Sequence, residues 1–334
     1  MSLRLHGDTL SRGDLLDFAV NVWRGDRPDG LRDALLRAVD EPGYPDERPG
    51  RAAVAARHSR SPDEVLPLNG AAEGFWLLAH ALRPRVAACV HPSFTEPEAA
   101  LRAAGADVVV VPREGEDWSF DPADVPAEAE VVVLGNPNNP TGNLTPAEDI
   151  VRLLRPGRVV VVDEAFMDFV PGETSSLAMT PRDGLVVVRS ATKMWSLAGI
   201  RAGYLLGPPA LVAALEGQRQ PWSVNALGLA ALAFCASDRA TPRRVAATVG
   251  AARGALHARL SELPGVRAWP SAANFLLLEV PDGSATIAAL RGAGIAVRPA
   301  ASFPGLTEDH LRVAVRQQAD NDVFIAALAW VLGA

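Results

Sequence analysis

Four short apolar runs recur between residues 106 and 193: "ADVVVVP", "AEVVVLGNP", "RVVVVDEAF" and "GLVVVRSATK". Each is continuous Val and Leu rather than apolar and polar in alternation, so each reads as a strand covered on both faces. "RVAACVHP" and "AGYLLGP" extend the set, and helical patterns fall between: "AAEGFWLLAHALR", "EPEAALRAAG" ending at Gly105, and "TPAEDIVRLLRPG". In the last, Thr145 reads as the N-cap and Pro146 as the first helical residue. Doubly covered strands separated by helices require an α/β fold, here a large domain with a mostly parallel sheet flanked by helices, expected over residues 28–235. Beyond it come a long helix, "PRRVAATVGAARGALHARLSEL", and two strands, "ANFLLLEV" and "LRVAVR", among the helices "SATIAALRGAG" and "NDVFIAALAWVLG". Residues 236–334, completed by 1–27, are expected to form a smaller α/β domain.

Composition narrows the function. The chain has 334 residues, 49% hydrophobic, enough for two lobes. A net charge of -7, from 32 Lys+Arg against 39 Asp+Glu, leaves no basic field for a nucleic-acid backbone. The arginines are scattered, which suits pockets for small anions. Cys89 and Cys235 lack any CxxC spacing, so neither a disulfide framework nor a structural zinc site is expected, and a reducing cytoplasm fits. No apolar stretch reaches the roughly 20 residues of a spanning helix, and a soluble protein without membrane contact is expected.

Ligands of open α/β sheets bind outside the carboxyl ends of the strands. Those ends carry "NGAAEG", "HPSF", "GNPNNPTG", "DEAF" and "RSATK". Gly70, Ala71 and Ala72 open a helix whose free N–H groups suit a phosphate, without the GxGxxG of a dinucleotide site. Asn139 offers an amide. Asp163 closes a valine run, where an ionised carboxylate is costly unless a cation or strong donor meets it. Ser190, Thr192 and Arg201 offer hydroxyls and a guanidinium to a dianion, with Lys193 among them. Taken singly, each also reads as an ordinary turn, cap or surface residue. With the aromatic Phe94 they meet the needs of pyridoxal 5′-phosphate: an amine for its aldehyde, a carboxylate for its ring nitrogen, a stacking face and a phosphate cup.

"NPNNPTG", "DEAFMDF" and "SATKMWSLAGIRAGY", in this order, resemble the class I/II aminotransferase group of fold-type I pyridoxal-phosphate enzymes, over nearly the whole chain. Within it, four stretches are similar to threonine-phosphate decarboxylases rather than histidinol-phosphate aminotransferases: "LHGD" with "LLDFAVNV", Phe166 in "DEAFMDFVPGE", Thr192 before the lysine, and "QPWSVNALGLAAL". Trp23, where an Asn-Pro sequence is expected, and Phe94, where aminotransferases commonly have Tyr, depart from the pattern.

The resemblance implies that Lys193 carries the cofactor and shuttles protons, that Asp163 pairs with the ring nitrogen, that Asn139 meets the phenolic oxygen and that Phe94 stacks on the ring. It implies a phosphate cup of Ser190, Thr192, Arg201 and the backbone of Ala71 and Ala72. Tyr44, in "GYPDERPG", would reach the neighbouring subunit's cofactor phosphate in a homodimer with shared sites. Arg312 would bind a substrate carboxylate and Arg298 a second anion, with His6 and Asn21 as further substrate contacts; no metal is implied. The implied partner is a small phosphorylated amino acid or amine. The implied reaction is decarboxylation of L-threonine O-3-phosphate to (R)-1-amino-2-propanol O-2-phosphate, a cobalamin building block; the alternative is amino transfer from histidinol phosphate or a related phosphorylated amine.

Overall fold

In the computed structural model, which describes residues 7–11 and 13–333, three of the four valine runs form the middle of a seven-stranded sheet, whereas "ADVVVVP", expected to be covered on both faces, forms one of its edges and leaves Val110 43% exposed. After a short strand β1 (Leu16–Asp17), its members are β2 (Val65–Asn69), β3 (Val86–His91), β4 (Asp107–Pro112), β5 (Val131–Gly135), β6 (Val159–Asp163), β7 (Leu185–Ser190) and β8 (Ala202–Leu206). They lie in the order β2-β8-β7-β6-β5-β3-β4. β8 is antiparallel to both of its neighbours and every other pair is parallel, so β2 points the same way as the rest.

The missing alternation in the valine runs now has its cause. Leu185 and Val187 enter one core with Val160 and Val162, while Val186 and Val188 enter a second core with Val161 on the opposite face. Burying each such side chain contributes roughly 1.5–3 kcal/mol, and a polar residue on either face would forfeit that. Helices Ala71–Leu82 and Glu96–Ala103 follow β2 and β3, and Gly105 takes φ +90 just past the second. The third expected helix spans only Ala147–Arg152, and its cap differs from expectation. Pro146 stands outside it at ψ 140, and Thr145 makes no cap. The Thr145 hydroxyl instead accepts from buried Arg113 (3.3 Å) while its N–H donates to Asn136 Oδ1 (3.0 Å).

Residues 267–314 build a second sheet from β9 (Arg267–Ala268), β10 (Phe275–Glu279), β12 (Arg298–Pro299) and β13 (His310–Ala314), antiparallel throughout in the order β12-β13-β10-β9. β9 and β12 are too short to show a period in sequence. β11 (Ile295–Ala296) pairs in parallel with β1, setting Leu16 beside Ile295. The strap that follows β1 is held by one buried arginine. Arg316 donates through Nε, NH1 and NH2 to the carbonyls of Asp17 (2.7 Å), Val22 (2.8 Å) and Val20 (2.7 Å). Among the described residues no helix is long and apolar enough to cross a membrane.

Candidate active site

Because β2 and β7 are aligned, the segments after β2, β3, β5, β6 and β7 open on one edge of the sheet, and four groups of expected site residues meet there. The first is the start of helix Ala71–Leu82. Gly70 takes φ +83, and a Cβ at that position would collide with the Arg201 guanidinium. A Cβ at Gly203 would lie 2.6 Å from the Ala71 nitrogen, so β8 presses its backbone against the helix start. Only glycine at both positions lets Arg201 and the free N–H groups of the first turn share one concavity. Ser190 Oγ and Thr192 Oγ1 lie 2.6 Å apart, both buried, at the end of β7.

The second group surrounds Asp163. Its Oδ1 accepts from the Ala165 N–H (3.0 Å), and Phe94 and Gly135 line the same small cavity. The Phe94 turn is braced from below: Ser93 N–H donates to His91 Nδ1 (3.2 Å), and His91 Nε2 stands 3.0 Å from Glu98 Oε2. Burial pushes the Asp163 carboxyl up to about 6, against the lowering by the Ala165 N–H and the Lys193 charge. A folded-state value above the ordinary one means a cost that is absent below about pH 4 and complete above about pH 6. Asp163→Asn should therefore stabilise the cofactor-free protein by about 1–3 kcal/mol at pH 8 and by about half as much at pH 5. Urea unfolding at the two pH values reads this directly, and equal effects at both would refute a strained carboxylate.

Lys193 is the third element. Its Nζ sits 5.7 Å from the centroid of the Phe166 ring, which brings no hydroxyl to that side. Trp23 grips the lysine's own turn: its N–H donates to the Lys193 carbonyl (2.9 Å), and its carbonyl accepts from Ser196 Oγ. The unusual residue of the N-terminal strap thus clasps the turn at the lysine and three residues beyond it.

The fourth group comes from the second sheet. Arg298 and Arg312 are directly opposed across β12 and β13, which places their Cβ atoms within about 5.5 Å. Like charges so placed repel unless an anion lies between them. Arg312 donates to Asn139 Oδ1 (2.7 Å) and to the Ala19 carbonyl (2.6 Å), leaving the Asn139 NH₂ to donate elsewhere. Arg298 donates to Ser302 Oγ (2.6 Å) and lies 5.0 Å from the Phe303 ring centroid. Burial pushes Arg312 down to about 9, with the charges of Arg298 and Arg316 adding to it, and pushes Arg298 down to about 10. Asn21, on the strap, is 3% exposed and has no hydrogen-bond partner for either amide atom among the described residues. Tyr44 stands apart, 76% exposed and stacked on Trp222 at 4.4 Å. His6 lies outside the described residues.

Sequence reasoning passed over one brace. Arg189, 1% exposed, binds Glu164 (3.0 Å), Asp168 (2.9 Å) and Glu173 (2.7 Å), tying the end of β7 to the segment after β6. Its signal was an arginine inside a valine run, a position that burial tolerates only with a countercharge.

A carboxylate held by one backbone N–H, a glycine-made anion cradle, a lysine and an amide on adjoining strand ends define the site of a pyridoxal-phosphate-dependent enzyme. The match of the aminotransferase class I and II family to residues 10–328 makes the chain a member of that family, and its cofactor is pyridoxal 5′-phosphate. A histidinol-phosphate aminotransferase of Mycobacterium tuberculosis (strain H37Rv) is 44% identical over 335 residues, covering 98% of this chain and 90% of its own. A threonine-phosphate decarboxylase of Salmonella typhimurium is 32% identical over 338 residues, covering 97% and 93%. The crystal structure of L-threonine-O-3-phosphate decarboxylase from Porphyromonas gingivalis superposes with a TM-score of 0.84 at 27% identity, over 95% of this chain and 99% of that one.

The residues present fit the cofactor. The cradle at Gly70 and Arg201 suits its phosphate, and the Asp163 carboxylate, raised by burial, lacks the cation that a protonated ring nitrogen would supply.

Proposed function

We propose that the protein decarboxylates L-threonine O-3-phosphate to (R)-1-amino-2-propanol O-2-phosphate. The observation that carries this reading is the opposed pair Arg298 and Arg312, one tied to Ser302 and the other to Asn139. A substrate with a carboxylate and a phosphate on one short skeleton answers both guanidiniums, each of which suits bidentate anion binding.

In this reading the first turn at Ala71 and Ala72, with Ser190, Thr192 and Arg201, would hold the cofactor's phosphate. Asp163 would keep the ring nitrogen protonated, Phe94 would face the ring, and the Asn139 NH₂ would donate to the phenolic oxygen. When bound, pyridoxal phosphate supplies the sink for the electron pair left at the substrate Cα. Arg312 would hold the carboxylate and Arg298 the phosphate, with Asn21 within the strap as a further polar contact. Orientation decides which bond at Cα breaks, and the two arginines would fix it from both ends. Carbon dioxide leaves, and Lys193 would deliver the proton that Cα then takes up. The exposed Tyr44 would meet a second copy of the chain in a homodimer with shared sites.

A second reading, amino transfer from histidinol phosphate, is favoured by the 44% identity to the mycobacterial relative. Anaerobic incubation of cofactor-loaded protein with L-threonine O-3-phosphate separates the two. One carbon dioxide per substrate, with the resting absorbance restored at the end, is the expected result. No carbon dioxide, but glutamate formed from histidinol phosphate and 2-oxoglutarate, would establish the second reading.

A further inference from the structure

A cavity of about 730 Å³ lies beside the loop that carries Asn139, and none of the residues assigned above lines it. The volume falls in the range of small-molecule sites, about 300–1,000 Å³. Its walls come from both halves of the structure. Trp118, Phe120 and Leu144 belong to loops of the seven-stranded sheet, whereas Trp269, Ser271 and Arg253 belong to the second sheet's entry and the helix Ala240–Ser261.

Two features of these walls specify an occupant. The Trp118 and Trp269 rings stand 5.4 Å apart between centroids at 58°, with Trp118 held in the left-handed region at φ 54, a conformation disfavoured for so bulky a residue. Trp269 is 5% exposed and stacked on His310 at 5.7 Å, so it backs the wall, and the aromatic surface offered to an occupant is that of Trp118 and Phe120, which suits a planar apolar body. The charge is set by Arg253. Its NH1 donates to the Ala273 carbonyl (2.9 Å), and Nε and NH2 have no partner among the described residues. Two of the three carboxylates in the wall pair with other arginines, Glu116 with Arg267 and Asp149 with Arg152 (2.8 Å), and the third, Asp117, accepts from the Ser119 N–H (3.2 Å) at the exposed rim. The uncompensated cation in this wall is therefore Arg253, and its Nε–NH2 edge is the one that takes a carboxylate in two parallel hydrogen bonds.

We infer that this cavity is a second ligand site, separate from the active site, for a small planar molecule bearing one carboxylate. Its occupant would touch the Asn139 loop at Leu144 and the segment leading into β10, which are joined by the Ala272 N–H donating to the Gly142 carbonyl (2.7 Å).

Calorimetric titration of the cofactor-loaded protein with indole-3-acetate tests it. One site per chain with a dissociation constant on the order of 0.1 mM is expected, with at least tenfold weaker binding of 3-methylindole, which lacks the carboxylate. Arg253→Met should weaken indole-3-acetate at least tenfold, and Arg253→Lys, which keeps the charge but loses the fork, by a smaller factor. Saturating L-threonine O-3-phosphate should leave the titration unchanged. Absence of saturable binding, equal affinity in both Arg253 variants and the parent, or displacement by the phosphorylated amino acid would each overturn the assignment.

Discussion

Lys193→Ala protein should lose turnover by at least roughly a thousandfold, as enzymes do when a group that acts covalently is removed. Reductive trapping with borohydride should fix the cofactor to the parent chain and leave the variant unlabelled. The fold should survive, because the contacts that hold this turn do not use the lysine side chain: Trp23 N–H meets the Lys193 carbonyl, and the Trp23 carbonyl accepts from the Ser196 hydroxyl. An unchanged circular dichroism spectrum with lost labelling is the expected pair of results. Retained turnover would remove Lys193 from the chemistry altogether.

The second large effect belongs to the opposed arginines. Removing one partner of a desolvated charge pair costs about 2–5 kcal/mol, so Arg312→Gln and Arg298→Gln should each lower kcat/KM for the phosphorylated substrate by roughly thirtyfold or more. Their responses to a shortened substrate should differ. With L-threonine, which lacks the phosphate, Arg298→Gln should cost little further while Arg312→Gln keeps its full effect. Both variants should retain bound cofactor, since neither residue touches the cradle at Gly70 and Arg201, but only Arg298→Gln should leave the absorbance unchanged, because Arg312→Gln releases Asn139 Oδ1. Equal penalties for both variants with L-threonine would mean that Arg298 does not serve the phosphate.

Much of this architecture is legible in sequence wherever one residue type carries one physical demand. Unbroken valine correctly places β5, β6 and β7 in the middle of the sheet, but the same pattern in β4 belongs to an edge strand with Val110 exposed, because valine content favours a strand without fixing how many neighbours cover it. Direction is another matter. "AGYLL" reads like its neighbours, yet β8 runs against them, because apolar content sets burial and says nothing about strand polarity. Thr145 reads as a cap since its neighbours match the pattern, and a buried arginine 32 residues away claims its hydroxyl instead. The lysine, the aspartate and the glycine before the helix are legible because each is conspicuous among small or apolar neighbours. The facing of Arg298 and Arg312 is not, because it depends on the register between two strands, one only two residues long. The grip of Trp23 on the lysine turn is hidden for a related reason: backbone hydrogen bonds leave no trace in side-chain identity.

The pairing of β1 with β11 bears on the order in which a newly made chain can become competent. All residues around the cofactor cradle, from Gly70 to Gly203, have been synthesised by the time β8 emerges, whereas Arg312 is still more than a hundred residues away. At about 5–20 residues per second that interval is roughly 5–20 s. Throughout it the strap bearing Asn21 waits, since its strand partner at Ile295 and its clasp at Arg316 do not yet exist. Birth of this protein thus separates two capacities in time: a place for the cofactor comes first, and the grip on the substrate closes last.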